Sequence, residues 1–131
     1  MNAERGTPEV TDVRADAYRV PTELDFEADG TLTWSATTVV VVHVYAADVM
    51  GVGWTYAHHG CVELVRTKLG EVVRGRPLLD VPAAWQAMHR AIRNDGRPGL
   101  VSCALAAVEI ALWDAAARLL DLSLVRLLGR V

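Results

Sequence analysis

Two cysteines, one lysine and one phenylalanine are all that this 131-residue chain holds of those residue types. Cys61 and Cys103 lie far apart and form no CxxC pair, so neither a disulfide framework nor a zinc ribbon is indicated. Free thiols in a reducing cytoplasm are the expectation. A net charge of −3 and a pI near 5.7 supply no basic surface for nucleic acid and disfavour polyanionic partners. The N-terminus MNAERGTPEV lacks an apolar signal core, and the apolar strings look far shorter than the ~18 residues of a membrane span. A cytoplasmic protein with no membrane partner is therefore expected. No internal repeat appears, and GVG and GRPG lack the strand, loop and helix setting of a nucleotide site.

What is there is ample apolar material: 52% of residues are hydrophobic and 22% charged, which argues against disorder. One domain of this length buries roughly two thirds of the surface of its unfolded chain. VTDVRADAYRV alternates, with Val13, Ala15 and Ala17 pointing one way and Asp12, Arg14 and Asp16 the other, as in a half-buried strand. After the acidic PTELDFEADGTLTWS, which carries an Asp29-Gly30 turn signal, comes the β-branched run TTVVVVHVYAA, apolar on both faces and therefore read as a central strand. DVMG reads as a short link into VGWT, which makes an antiparallel meander of three strands whose first connection is long.

From Gly60 the period becomes helical: Cys61, Val62, Val65, Leu69, Val72 and Val73 share a face, and Gly75 is placed to stop the helix. DVPAAWQAMHRAIRNDG reads as a second helix, with Asp80 available as N-cap, Pro82 in the first turn, Trp85, Met88 and Ile92 inward and Gly96 as terminator. The third, VSCALAAVEIALWDAAARLL, is apolar almost all round and needs partners on two sides; its Asp114 and Arg118 form an i,i+4 pair worth about 0.3 kcal/mol if exposed. The fold class is α+β, a three-stranded antiparallel meander followed by a three-helix bundle.

These segments also carry a resemblance. DGTLTWSATTVVVVHV, GVGWTYA and RNDGRPGLVSCALAAVEIALWDAAARLLDLSLVRLLG together resemble the N-terminal capping domain of the enolase superfamily, in its mandelate racemase and muconate lactonizing enzyme branch. The most specific part is AVEIALWDAAAR followed by LSLVRLLG, where Ser123 stands in place of a usual proline. The resemblance implies a flexible tail over 1–9, a capping domain over 10–128 and, at 129–131, the start of a linker to a (β/α) barrel. In such enzymes the barrel supplies three carboxylates for Mg²⁺ and a Lys or His base that removes the proton next to a substrate carboxylate. No cofactor is expected in this chain, and Mg²⁺ is implied only for the barrel. The single lysine, Lys68, lies mid-helix, and there is no Lys-x-Lys strand.

The densest chemistry is GWTYAHHG, with Trp54, Tyr56, His58 and His59 in eight residues. Two adjacent imidazoles rarely share one metal, so the resemblance, rather than metal chemistry, supplies their role: a lid over the barrel mouth that touches substrate. Trp54, nearest the strand, also has a claim to be core, and His59 to begin the helix. The connection from Pro21 to Trp34 is implied to be a second mobile lid without structure of its own, with Thr22 and Trp34 as its contacts. Its carboxylates Glu23, Asp25, Glu27 and Asp29 read as solvated charges, His43 as a satisfied structural residue, His89 as solvent-facing, and Arg90, Arg93 and Arg97 as a solvated or domain-contact face.

The implied role is that of a capping and specificity domain for a Mg²⁺-dependent acid-sugar dehydratase or racemase-like enzyme, its partners a barrel domain and a small carboxylate such as an acid sugar. Alone it should be inactive. The alternative is a stand-alone, self-associating interaction module that uses the two apolar sides of the third helix; in either case a homo-oligomer is expected.

Overall fold

The computed structural model describes residues 6–129. Alternation places strand β1 at Val10–Pro21. A two-stranded ribbon, β2 at Glu27–Ala28 and β3 at Thr33–Trp34, interrupts the connection to β4 at Ala36–Ala46, which turns tightly at Ala47 and Asp48 into β5 at Val49–Tyr56. The main sheet has the order β1-β4-β5, both pairs antiparallel, and is the expected meander. Val49, Met50 and Gly51, read from sequence as a link, are already strand, because Ala47 accepts a positive φ of 48° and so makes a turn of two residues possible.

β4 is central by pairing, but it is buried on one face only. Val40, Val42, Val44 and Ala46 are wholly buried with Val13 and Ala15 of β1, whereas Val39, Val41, His43 and Tyr45 stay half-exposed. Ala17 is exposed despite its place in the alternation, because it lies at the β1 edge. His43 thus lies on a partly open surface rather than in the core.

Among the described residues four helices, one more than expected, follow the sheet, and two of them pack on its buried face. The first, α1, runs over 60–73 as Gly60–Leu64, a wide i→i+5 turn at Val65–Leu69, and Gly70–Val73. The wide turn has a reason in the sequence: Cys61, Val65, Leu69 and Val73 recur every four residues, and underwinding the helix keeps all four buried on one side. Gly70 lets this helix approach β1, since a Cβ there would lie 3.2 Å from Val13 Cβ.

Helix α2, Val81–Ala91, has Pro82 in its first turn and ends before Gly96. Asp80 occupies the N-cap position, but its side chain makes no capping hydrogen bond. Met88 and Ile92 are fully buried. Trp85 packs on the rim of the core and stacks on His89 at 4.8 Å between ring centroids, so His89 is half-buried rather than solvent-facing. Arg97 folds back on this helix, its guanidinium donating to the His89 carbonyl at 3.5 Å.

Helix α3, Ser102–Leu119, and a single extra turn, α4 at Leu124–Leu127, complete the chain. The stretch Arg97–Leu119 is in fact long and apolar enough, by composition, to cross a membrane, contrary to the reading of its apolar strings. Both apolar sides of α3 are nevertheless used, one against β5 and β4 and the other against α1 and α2. Ile110, 41% exposed, is the large apolar side chain that this helix leaves at the surface. Contact with β5 is backbone to backbone: Ala107, Ala111 and Ala115 of α3 lie over Gly51 and Gly53, where no Cβ would fit. Asp114 Oδ2 accepts the Val52 N–H at 2.8 Å and also pairs with Arg118 at 2.8 Å. The i,i+4 pair read from sequence is thus also a tie between helix and edge strand.

Residues 6–9 of the expected tail are placed, with Pro8 accepting the Leu78 N–H at 2.8 Å and Glu9 bridging Pro77. The rest of that tail, 1–5, and the linker positions 130–131 lie outside the described residues.

Candidate lid site at one end of the sheet

Trp34 and Tyr56 are twenty-two positions apart, yet the register brings them to the same end of the sheet. Tyr56 pairs with Val39 near the start of β4, and the Ala57 N–H continues the ladder to the Thr38 carbonyl at 3.2 Å. Trp34 sits two residues before β4 and is held by its pairing with Glu27. Trp34, Tyr56 and His58 line one open depression of about 350 Å³, with Ala36, Thr37 and Thr38 as its floor. Thr37 and Thr38 were not singled out from sequence; what places them there is the ladder register, which one strand alone does not reveal.

His58 is positioned by its own backbone. Its Nδ1 accepts the Gly60 N–H at 3.1 Å, and its carbonyl accepts the Cys61 N–H at 3.0 Å, so the residue closes the turn that starts α1. With Nδ1 occupied as an acceptor, the neutral imidazole carries its proton on Nε2 and offers a donor suited to a carboxylate or hydroxyl oxygen. His59 takes the N-cap position of α1 and lines a different cleft, of about 490 Å³, with Glu63 and the Asp16–Arg66 ion pair. The two imidazoles lie 3.9 Å apart between centroids but serve separate surfaces.

Two other candidates stand apart from the depression. Trp54 is 52% exposed on the open face of the sheet, edge-on to Tyr56 at 5.3 Å between centroids, so its assignment to the core does not hold. Gly51 and Gly53 take the inward positions of β5, and period-two alternation leaves Trp54 outward. Thr22 lies at the foot of the Pro21–Trp34 connection, its N–H bound to the Ser35 carbonyl at 3.0 Å and its hydroxyl donating to the Leu24 carbonyl at 2.6 Å.

The connection between Pro21 and Trp34 has structure of its own, which corrects the expectation that it has none. Glu27 pairs with Trp34 and Ala28 with Thr33 around the Asp29-Gly30 turn. Asp29, exposed like the other three carboxylates, is also a turn-former: Oδ1 accepts from the Thr31 hydroxyl at 2.6 Å and from the Thr31 and Leu32 N–H groups at 2.9 Å. These bonds, the hydroxyl first, favour the carboxylate and pull its pKa from 3.8 to about 2. Leu24, Phe26 and Leu32 are exposed on this arm.

Among the described residues no three His, Cys, Asp or Glu side chains converge in a group that could hold a metal ion. The donor set of the described residues does not fit Mg²⁺. Cys61 is buried and donates to the Leu100 carbonyl at 3.3 Å, and burial pushes its thiol pKa up, away from nucleophilic use. The depression presents a hydrogen-bond donor beside two aromatic side chains.

Residues 11–129 match the family described as the mandelate racemase / muconate lactonizing enzyme N-terminal domain. A curated L-rhamnonate dehydratase of Saccharopolyspora erythraea is 36% identical over 91 residues, which are 69% of this chain and 23% of that protein. Among solved structures, a mandelate racemase/muconate lactonizing enzyme-like protein from Rubrobacter xylanophilus is 43% identical with a TM-score of 0.89, covering 92% of this chain and 33% of that one. A Bradyrhizobium enolase, complexed with magnesium and mandelic acid, is 26% identical with a TM-score of 0.81 over 95% of this chain and 36% of its own. The chain thus spans between 23% and 36% of the length of these relatives.

Proposed function

From the mandelate racemase / muconate lactonizing enzyme N-terminal domain family of the enolase superfamily, to which this chain belongs, we propose that it works as the cap of an enzyme whose chemistry resides in a (β/α) barrel. The reaction class is Mg²⁺-dependent removal of the proton next to a substrate carboxylate, as in an acid-sugar dehydratase or a racemase, with Mg²⁺ and the base supplied by the barrel. The cap contributes enclosure and recognition: the Pro21–Trp34 arm and the Tyr56–His59 corner exclude water, and His58 Nε2–H hydrogen-bonds a substrate oxygen. A cytoplasmic setting suits two unpaired thiols.

The observation that carries this reading is the convergence of Trp34, Tyr56 and His58 from two separate connections on one depression beside an apolar arm. The dehydratase relative supports an acid-sugar substrate, and the magnesium-bound relative supports the metal. The test is a chimera in which residues 11–129 replace the corresponding cap of the Rubrobacter relative, assayed on a panel of acid sugars. Tyr56→Ala and His58→Ala should each lower kcat/KM by roughly 10-fold or more with the fold unchanged, the loss expected for a substrate-positioning contact. An active chimera indifferent to both substitutions would contradict the assignment.

A further inference from the structure

The GRPG connection between α2 and α3 lines no part of the depression, yet it is tied down along its length. Gly96 and Gly99 take positive φ of 76° and 81°, with Pro98 extended between them at ψ 143°. A side chain at Gly99 would be strained, because L-residues rarely adopt that backbone. The Arg97 guanidinium reaches back to the His89 carbonyl at 3.5 Å, and the Arg97 carbonyl accepts the Ser102 hydroxyl, so the connection is bound to both helices it joins. Just past it stands Leu100, 41% exposed although its neighbour Val101 is buried.

The first turn of α1 rests on that leucine. The Cys61 thiol donates to the Leu100 carbonyl at 3.3 Å, and a Cβ built at Gly60 would lie 3.6 Å from Leu100 Cδ2 and 3.3 Å from His58 Nδ1. Gly60 thus has the leucine and the imidazole as its two near neighbours. His59, at the N-cap position, makes no side-chain capping bond, and the Gly60 N–H finds its acceptor in His58 Nδ1 at 3.1 Å. A helix start that opens on glycine without a conventional cap frays unless something outside the helix holds it.

We propose that Leu100 is a positioning residue for His58. Together with the Cys61 thiol it pins the first turn of α1; the pinned turn keeps the Gly60 N–H on Nδ1, which orients the imidazole and leaves Nε2–H as the donor. Leu100 does not line the depression, so its effect passes through Gly60. If Leu100 only sealed the edge of the core, its truncation would cost stability and leave the His58 corner as it is. The use of this positioning rests on the cap reading, but its first test does not.

That test is NMR on the ¹⁵N-labelled 131-residue chain. Two readouts are local to the corner: the scalar coupling that the Gly60 N–H···Nδ1 bond transmits between its two nitrogens, and the exchange rate of the Gly60 amide. Leu100→Ala should sharply reduce the coupling and speed the exchange by roughly 2- to 10-fold, the span set by the net worth of one hydrogen bond. Amides in the rest of α1 and in α3 should keep their protection. Leu100→Met, long enough to reach Gly60, should retain both readouts. Cys61→Ser, which keeps a donor for the Leu100 carbonyl, should retain them better than Cys61→Ala. In the chimera, Leu100→Ala should lower kcat/KM and have no further effect once His58 is replaced by alanine, because the two act in series. Absence of the coupling from the wild type, or a corner unchanged in Leu100→Ala, would overturn the proposal. So would protection lost evenly along α1 and α3, or losses equal in Leu100→Ala and Leu100→Met. Local changes as expected, in a chimera indifferent to both His58→Ala and Leu100→Ala, uphold the positioning and contradict the cap reading instead.

Discussion

Gly53→Ala should damage this protein far more than one methyl group ordinarily does. A Cβ built at Gly53 falls 2.0 Å from the Ala107 carbonyl oxygen and 2.6 Å from the Ala111 nitrogen; at Gly51 the corresponding distances are 2.1 Å to the Ala111 oxygen and 2.3 Å to the Ala115 nitrogen. Ordinary contact lies near 3.5 Å, so α3 must retreat by roughly 1.5 Å from the strand it packs on. The obstacles are backbone atoms of a helix whose buried side chains interlock with the rest of the core, and they cannot rotate away. Overpacking costs about 1–3 kcal/mol, and we expect the upper end, about 3 kcal/mol. At roughly 3–4 °C per kcal/mol for a domain of this size, the melting temperature should fall by about 10 °C, measured by circular dichroism. The sign is informative, because Gly→Ala at an unstrained position stabilises by about 0.4–1 kcal/mol. Ala107→Gly should not rescue the variant, since it leaves the offending carbonyl in place. A change below about 0.5 kcal/mol would refute the backbone-to-backbone packing.

Two further predictions concern the supports of the site. Asp114→Ala orphans the Val52 N–H and frees Arg118, and should cost about 1–2 kcal/mol in a urea melt, with Asp114→Asn, which keeps an acceptor, costing less. Asp29 has a folded pKa of about 2 against an ordinary 3.8. Because the folded value is the lower one, protonation favours the open ribbon: its stabilisation of β2–β3 is complete above that ordinary value and is lost as pH falls toward about 2. The Thr31 and Leu32 amide resonances should report this loss, Asp29→Ala should abolish the dependence, and a ribbon unchanged down to pH about 2 would count against the turn.

The main architecture was legible because it rests on periodicity. Alternation marked β1, the change of period at Gly60 marked α1, and Pro82 and Gly96 bracketed the second helix. What escaped depends on partners. A β-branched run apolar on both sides reads as doubly buried, yet helices cover only one face of β4, so Val39 and Val41 remain half-exposed. Trp54 was given a claim to the core because it lies nearest the strand, although Gly51 and Gly53 already occupy the inward positions of β5. The β2–β3 ribbon has two residues per strand and α4 only four, too few for any period to show. In the site, Trp34, Tyr56 and His58 were nominated one by one. Their convergence is a consequence of strand register, whereas His58 and His59 part because His58 is bound back to the Gly60 N–H and His59 takes the N-cap position of α1.

The account's central claim is that this domain recognises and encloses a substrate whose proton is removed by other groups. Solvent exchange measures this most directly: the 131-residue chain is incubated in D₂O with Mg²⁺ and a panel of acid sugars, and deuterium at the carbon next to the carboxylate is followed by proton NMR. The account predicts incorporation no faster than in buffer with Mg²⁺ alone. Incorporation that saturates with substrate and is lost in Tyr56→Phe or His58→Ala would place the base in this chain and contradict it.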